Sequence, residues 1–347
     1  MRPALARWQL TRTIAWRRPP LRHGGRHLCS LVLPRFVGPR GLVHFSLKPA
    51  AVSLARPILP GRVYLITRRC SERRFFLRPD DTTNQAFLYC LAEAAQRFGI
   101  EIVGFLVMSN HYHAVVVDPL GRLPDFTCHF HQMLAKVLNV RWSRWENFWS
   151  TEPPTYTWLV NPSDVFEKLL YCLLNPISDH LVDSVVNWPG ASSWSLLGGR
   201  EIVVRRPKIF FRSRGVMPEA VPLKLAVPPG IDAAANDWAA RVRDAVVARE
   251  RTLREERVRE GIAILGRKAV RAASAFDTPK TSAPRRTLRP LVACKDMWKR
   301  VVALDEIERF RSAYVKARRS FVAGVRNVLF PAGTFALQRL GALTAPS

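Results

Sequence analysis

Between Arg62 and Leu174 the apolar residues switch repeatedly between the two-residue period of a strand and the 3.6-residue period of a helix, and the order of the switches leaves few folds open. Arg62–Arg68 (RVYLITR) alternates as a strand. Asp80, Asp81, Thr82 and Thr83 supply side-chain acceptors for the first free amides of a helix over Gln85–Phe98, which Gly99 ends. Ile100–Met108 (IEIVGFLVM) is apolar and β-branched enough for a buried strand, and Ser109-Asn110 turns the chain into another, His111–Val117 (HYHAVVV). Leu123–Trp142 places Leu134, Val137, Leu138 and Trp142 on one helical face, and Tyr156–Val160 reads as a short strand. Asn161-Pro162-Ser163-Asp164 opens a helix over Val165–Leu174. Pro176 disfavours helical backbone at the residue before it, so Asn175 is expected at a frayed helix end with a free side chain. The order β-α-β-β-α-β, followed by one more helix, is the split βαβ, ferredoxin-like plan: an α+β fold with an antiparallel sheet.

Basic charge flanks this core rather than lying in it. The 347 residues carry 54 Lys and Arg against 27 Asp and Glu, a formal net charge of +27. Residues 1–71 hold 14 basic residues and no acid, 72–200 hold 10 basic and 13 acidic, and 201–347 hold 30 basic and 14 acidic. Such an excess favours a polyanionic partner, nucleic acid first. Arg outnumbers Lys 44 to 10, a bias that a GC-rich genome produces without selection for binding. Three regions follow. Residues 1–60, rich in Arg, Pro and Gly, read as a disordered basic arm or an upstream start. A transit peptide shares that composition, but Pro19, Pro20, Gly24 and Gly25 interrupt an amphipathic helix. Residues 61–200 hold the ferredoxin-like core. Residues 201–347 form a basic, mainly helical region: a Pro/Arg-rich linker over 205–230, a charged helix over Ala233–Glu260, a loose stretch over 274–290, and a second helical stretch over Met297–Val325.

In the charged helix, Glu250–Arg254 and Glu255–Arg259 are i,i+4 pairs of the kind that mark a solvated face. Arg285, Arg286, Arg289, Lys299, Arg300, Arg318 and Arg319 are less neutralised and better suited to DNA-backbone contact. No apolar run approaches the ~18 residues of a membrane span. Six scattered cysteines with no C-x-x-C pair predict reduced thiols and a cytoplasmic setting.

The sharpest local feature is His111-Tyr112-His113. On a strand, residues i and i+2 share a face, so the two imidazoles stand side by side while Tyr112 points the other way. Two neutral imidazoles so placed can bind a divalent metal, and the pair is equally compatible with a structural or solvated face. His129-Phe130-His131 has the same spacing on a helix, where i and i+2 diverge; these read as ordinary helix residues. Tyr171 and Asn175 are one helical turn apart and share a face. A metal on His111, His113 and an amide oxygen would polarise a phosphodiester, and a tyrosine one turn from that amide could attack the phosphorus. Of the other tyrosines, Tyr112 points away, Tyr64 and Tyr89 fall early in the core, and Tyr314 lies in the basic C-terminal region. Tyr156, on an edge strand, is the reserve. In Arg141–Trp149 (RWSRWENFW) aromatic and basic residues interleave, a pattern for base stacking; Trp142, Phe148 and Trp149 equally serve to close the core.

Together these residues resemble the HUH single-tyrosine transposases, most closely the REP-associated tyrosine transposase branch. The likeness lies in Val63–Arg69 (VYLITRR), in Gly104–His113 (GFLVMSNHYH), in Tyr171–Pro176 (YCLLNP), and on through Leu181-Val182 to Trp188-Pro189, over roughly residues 62–195. It implies a catalytic core acting on single-stranded or hairpin DNA, with Mg²⁺ or Mn²⁺ held by His111 and His113 and helped by Asn175. It implies a 5′-phosphotyrosine on Tyr171 with release of a free 3′-OH. The bulky Tyr112 departs from the small or aliphatic residue the family often has there, and the C-terminal region lies outside the family's minimal core. The pattern is compatible with a site made by one chain or by a homodimer. A non-catalytic nucleic-acid-binding protein retaining the ferredoxin-like core is the alternative, and a metal-dependent nuclease without a covalent step is a third reading. RRM-type RNA binding lacks its aromatic strand motif here.

Overall fold

Seven elements carry the core: β1 (Arg62–Arg69), α1 (Asp81–Phe98), β2 (Glu101–Val107), β3 (His111–Asp118), α2 (Leu123–Arg141), β4 (Thr155–Leu159) and α3 (Pro162–Ser178). They come from the computed structural model, which describes residues 55–210, 217–282, 289–338 and 341–346. Nearly all of the basic arm, and Arg285-Arg286, therefore lie outside the described residues. Later elements are β5 (Ile202–Arg205), β6 (Ala220–Leu223), α4 (Ala235–Arg259), α5 (Arg267–Ala272), β7 (Val292–Ala293), α6 (Met297–Val322), β8 (Leu329–Phe330) and β9 (Leu343–Thr344). No described helix is long and apolar enough to cross a membrane.

The central sheet has the order β2-β3-β1-β4-β7. Its first four strands pair antiparallel, as the split βαβ plan requires. The sheet is nevertheless mixed, because β7 from the C-terminal region adds parallel to β4. Local chemistry fixes the element ends. Asp80 accepts from the Thr83 amide to cap α1, and Gly99 closes the same helix in the left-handed region at φ 67°. Buried Asp118 accepts from the amides of Arg122 and Leu123 and so turns β3 into α2. Asn161 and Asp164 form a reciprocal capping box at the start of α3, with Pro162 in its first turn.

Register assigns the side chains to two faces. Arg69 pairs with His111 and Thr67 with His113, on the face covered by α3. The alternate residues Arg68, Tyr112, Ile66, Ala114 and Tyr156 face α1 and α2, where Phe87, Phe130 and Tyr112 are fully buried. Gly104 of β2 lies on the α3 side. A Cβ there would fall 2.3 Å from Leu169 Cδ1, so the missing side chain lets α3 approach the sheet.

Four sequence expectations are corrected. First, α3 does not stop before Pro176 but runs through it to Ser178. The proline removes one hydrogen bond, at a cost of about 3 kcal/mol in a helix interior and less near an end. Burial of Leu173, Leu174 and Ile177, worth about 1.5–3 kcal/mol each, outweighs that. Second, the described parts of the expected linker over 205–230 pack on the core: β5 pairs with β6, Val221, Leu223 and Leu225 are buried, and the Ala226 amide bonds to the Ile102 carbonyl. Third, α4 is not merely solvated. Trp238, Val242, Val246 and Glu250 repeat every four residues along one buried stripe, and Glu250 accepts from the Val185 amide and the Ser184 hydroxyl rather than pairing with Arg254. Fourth, residues 55–60 do not belong to a loose arm: Ile58 is buried and its amide bonds to the Gly333 carbonyl.

Candidate functional site

The site begins where β3 leaves its turn. His111 and His113 point from one face with ring centroids 4.9 Å apart. Asn110 Oδ1 lies 2.7 Å from His111 Nδ1, and an amide oxygen only accepts, so Nδ1 carries the proton and Nε2 the lone pair. Thr67 Oγ1 stands 2.8 Å from His113 Nδ1 on the neighbouring strand. His113 Nε2 is buried without a hydrogen-bond partner. Burial, then the nearby Arg69 and Arg73 guanidiniums, lowers the His111 pKa to about 4. Burial, then His111 and Lys168, holds His113 well below the ordinary imidazole range. Both rings are therefore neutral at pH 7, the state that ligates a metal.

From α3, the Tyr171 ring packs edge-on against His113 at 5.3 Å between centroids, while the residue stays 48% exposed. Burial raises its phenol pKa above the usual 10, the neighbouring Cys172 and Asp179 push it the same way, and a hydrogen bond from the Asn175 amide opposes them. Lys168 Nζ lies 5.4 Å from the Tyr171 ring centroid. Asn175 is not at a frayed end with a free side chain. The continued helix leaves it 7% exposed, one turn from Tyr171. The structure thus brings His111, His113, Tyr171 and Asn175 to one place. Among the described residues no three His, Cys, Asp or Glu side chains converge as a metal site, so an ion here would need an amide or substrate oxygen beyond the two imidazoles. The site offers one bare buried nitrogen, a second imidazole with its far nitrogen pre-set, and a neighbouring amide; imidazole suits Zn, Fe or Ni ahead of Mg²⁺, which would draw most of its ligands from water and substrate oxygens.

No protein-family model and no curated protein matches the chain. Solved structures do. One, a REP-associated tyrosine transposase bound to a REP hairpin, is 18% identical over 41% of this chain and 81% of its own, with a TM-score of 0.33. Another, a candidate transposase from Deinococcus radiodurans, is 19% identical over 29% of this chain and 82% of its own, with a TM-score of 0.24. Likenesses of this degree decide neither family nor activity.

The remaining sequence candidates separate cleanly. Tyr156 sits on the opposite face, its hydroxyl bonded to Thr127 of α2, so it cannot replace Tyr171 at the histidines. His129 pairs with Glu93 at 2.6 Å, and His131 shares a 2.6 Å hydrogen bond with the Tyr112 hydroxyl. The two helix histidines therefore serve different neighbours, and the bulky residue between the strand histidines is accommodated by the second of them. Phe148 and Trp149 are buried and Trp142 packs partly buried against the core, whereas Trp145 is 93% exposed. Arg289 pairs with Glu152, which withdraws it from the free cations, and Lys299 donates to Asn161 Oδ1. The sequence does not single out Thr67, Asn110, Lys168 or Asp179. Of these Asp179 alone has a readable signal, its i+8 position on the Tyr171–Asn175 face.

Proposed function

We propose that the chain is a transposase that cleaves and rejoins single-stranded or hairpin DNA through a covalent bond to Tyr171. The reading is supported by the packing of the half-exposed Tyr171 ring on His113, whose buried Nε2 is bare, with Asn175 one turn further along α3. His111, His113 and Asn175 would hold Mg²⁺ or Mn²⁺, which supplies Lewis-acid polarisation of a phosphodiester oxygen. The chain's own contribution is placement. Thr67 and Asn110 fix the imidazole orientations, and the rigid helix α3 holds the phenol beside them. The phenol oxygen attacks phosphorus and loses its proton. The bond from phosphorus to the 3′ oxygen breaks, and that oxygen leaves as a hydroxyl after taking up a proton. The 5′ phosphate remains on Tyr171 until the reverse attack by a 3′-OH rejoins the strand. The Asn175 amide, one turn along α3, draws the phenol toward the anion that the attack requires.

Tyr171→Phe tests the reading, because it removes one oxygen from a half-exposed ring and leaves its packing on His113 in place. With a labelled single-stranded oligonucleotide, the unaltered chain forms a denaturant-stable adduct in Mg²⁺ and none in EDTA. The variant binds the oligonucleotide but forms no adduct. An adduct on the Tyr171→Phe variant, or cleavage undiminished in chelator, would exclude the assigned nucleophile or the assigned metal respectively.

A further inference from the structure

A cleft of about 1060 Å³ opens beside His111. One wall comes from the core, including Arg69, Asn110, His111 and Asp179. The opposite wall is later chain, from Leu265 to Thr281, and includes Phe276, Asp277 and Lys280. This second wall is pinned along its length. The amides of Leu265 and Gly266 bond to the carbonyls of His180 and Leu181, each at 2.9 Å, and the Phe75 amide bonds to the Asp277 carbonyl at 3.0 Å. Arg78 donates to the Ala273 carbonyl at 2.9 Å, Arg74 to that of Phe276, and Arg73 to that of Thr281 at 2.6 Å. Three guanidiniums of the core are thus engaged in holding a wall rather than standing free for a ligand.

What faces the cleft has a definite chemistry. Arg69 and Lys280 have no acidic partner among the described residues. Phe276, held edge-on by Phe76 at 6.0 Å, remains 46% exposed. Of the two acids, Asp277 is engaged by the Ser274 amide, and Asp179 lies at the end of α3. Unpaired cations beside an exposed aromatic face suit a phosphate and an unstacked base together. The volume lies just above the about 300–1,000 Å³ of small-ligand pockets, room for a few unpaired nucleotides and too little for a duplex. We propose that this cleft binds the unpaired nucleotides flanking the bond presented to Tyr171, with a base on Phe276 and phosphates between Arg69 and Lys280. The inference rests on the reading of the site as DNA-cleaving. It adds that the C-terminal region builds half of the single-strand channel.

The test uses the full chain carrying Tyr171→Phe, in EDTA, so that binding is read without cleavage. Two fluorescent probes are compared by anisotropy: a DNA hairpin with short unpaired extensions and the same hairpin with blunt ends. Phe276→Ala and, separately, Lys280→Glu are expected to weaken binding of the extended probe about ten-fold, within the range of base–aromatic stacking, and to leave the blunt probe unchanged. Lys280 is exposed, so its variant decides the matter even where Phe276→Ala lowers the melting temperature. Equal effects on both probes, or none on either, would overturn the cleft assignment while leaving Tyr171 untouched. Failure of the intact cleft to bind either probe would overturn the DNA-cleaving reading as well.

Discussion

Replacing Gly104 by alanine perturbs the site from the far side of α3. The new Cβ would stand 2.3 Å from Leu169 Cδ1 and 3.1 Å from Ser193 Oγ. Carbon atoms pack best at about 3.5–4.0 Å, so more than about 1 Å of separation must be found. Leu169 is fully buried and cannot swing into solvent, and Ser193 Oγ is fixed between the amide and the carbonyl of Phe105. The helix must therefore move outward or the leucine leave its rotamer, an overpacking cost of about 1–3 kcal/mol. At about 2–4 °C per kcal/mol for a unit somewhat smaller than this one, the melting temperature falls by roughly 2–12 °C. Tyr171 lies two residues beyond Leu169 on the same helix, and a misplacement of about 1 Å can cost up to about 100-fold in rate. Calorimetry and single-strand cleavage are measured on Gly104→Ala, Leu169→Ala and the double variant. Leu169→Ala alone is expected to cost about 2–5 kcal/mol through its cavity, and the double variant less than the sum, because the new methyl enters that cavity. A thermally silent Gly104→Ala, or strict additivity in the double variant, would refute the close-approach argument.

Three further outcomes are expected. Tyr112→Phe strands His131 Nε2 in the core and should cost about 1–3 kcal/mol in urea unfolding, with cleavage unchanged because the pair lies on the opposite face of the sheet; lost cleavage at unchanged stability would contradict the two-face assignment. Burial, the largest single influence on Asp80, would raise its pKa, but hydrogen bonds from Arg141, the Thr83 amide and Arg78 together hold it below the usual carboxylate value. Its contribution to stability is therefore complete above the unfolded pKa of about 4 and fades as pH falls through the lower folded value, so the melting-temperature gap between the native chain and Asp80→Asn should narrow below about pH 4; a gap constant down to acid unfolding would remove the ion pairs from this account. His129→Ala should retain cleavage and lose a modest amount of stability, since Glu93 keeps Arg97 as a partner; abolished cleavage would mean that the second H-x-H is no bystander.

The core is legible in the sequence because its signals are local. Alternation in RVYLITR and HYHAVVV sets both the strands and the faces, so the shared side of His111 and His113 follows from a period of two. Asn161-Pro162-Ser163-Asp164 marks the start of α3 by capping chemistry alone. The end of that helix is hidden because proline is a local signal and the burial of Leu174 and Ile177 is not. Pro222 makes 205–230 look like a linker, yet it sits in a two-stranded sheet edge that tolerates a missing amide. Charge counting fails for a related reason. Arg62, Arg73, Arg74, Arg78 and Arg289 add to the net charge as any free cation does, but the fold engages them with Glu306, Glu152 or backbone carbonyls far along the chain. Nothing in a window of residues around Arg73 names Thr281 as its partner.

That distant partnership also has a bearing on how the molecule is made. The histidines, the tyrosine and its amide neighbour are all synthesised by residue 178, whereas the wall opposite Arg69 ends at Thr281. At about 5–20 residues per second, translation of the intervening stretch takes roughly 5–20 s, during which the ferredoxin-like core can fold ahead of it. In a nascent chain of that length the wall is not yet made, and Arg73, Arg74 and Arg78 stand before their partner carbonyls exist. On the proposed reading, the cutting groups are complete before the surface that would position the DNA, and the last third of the chain decides when the two are joined.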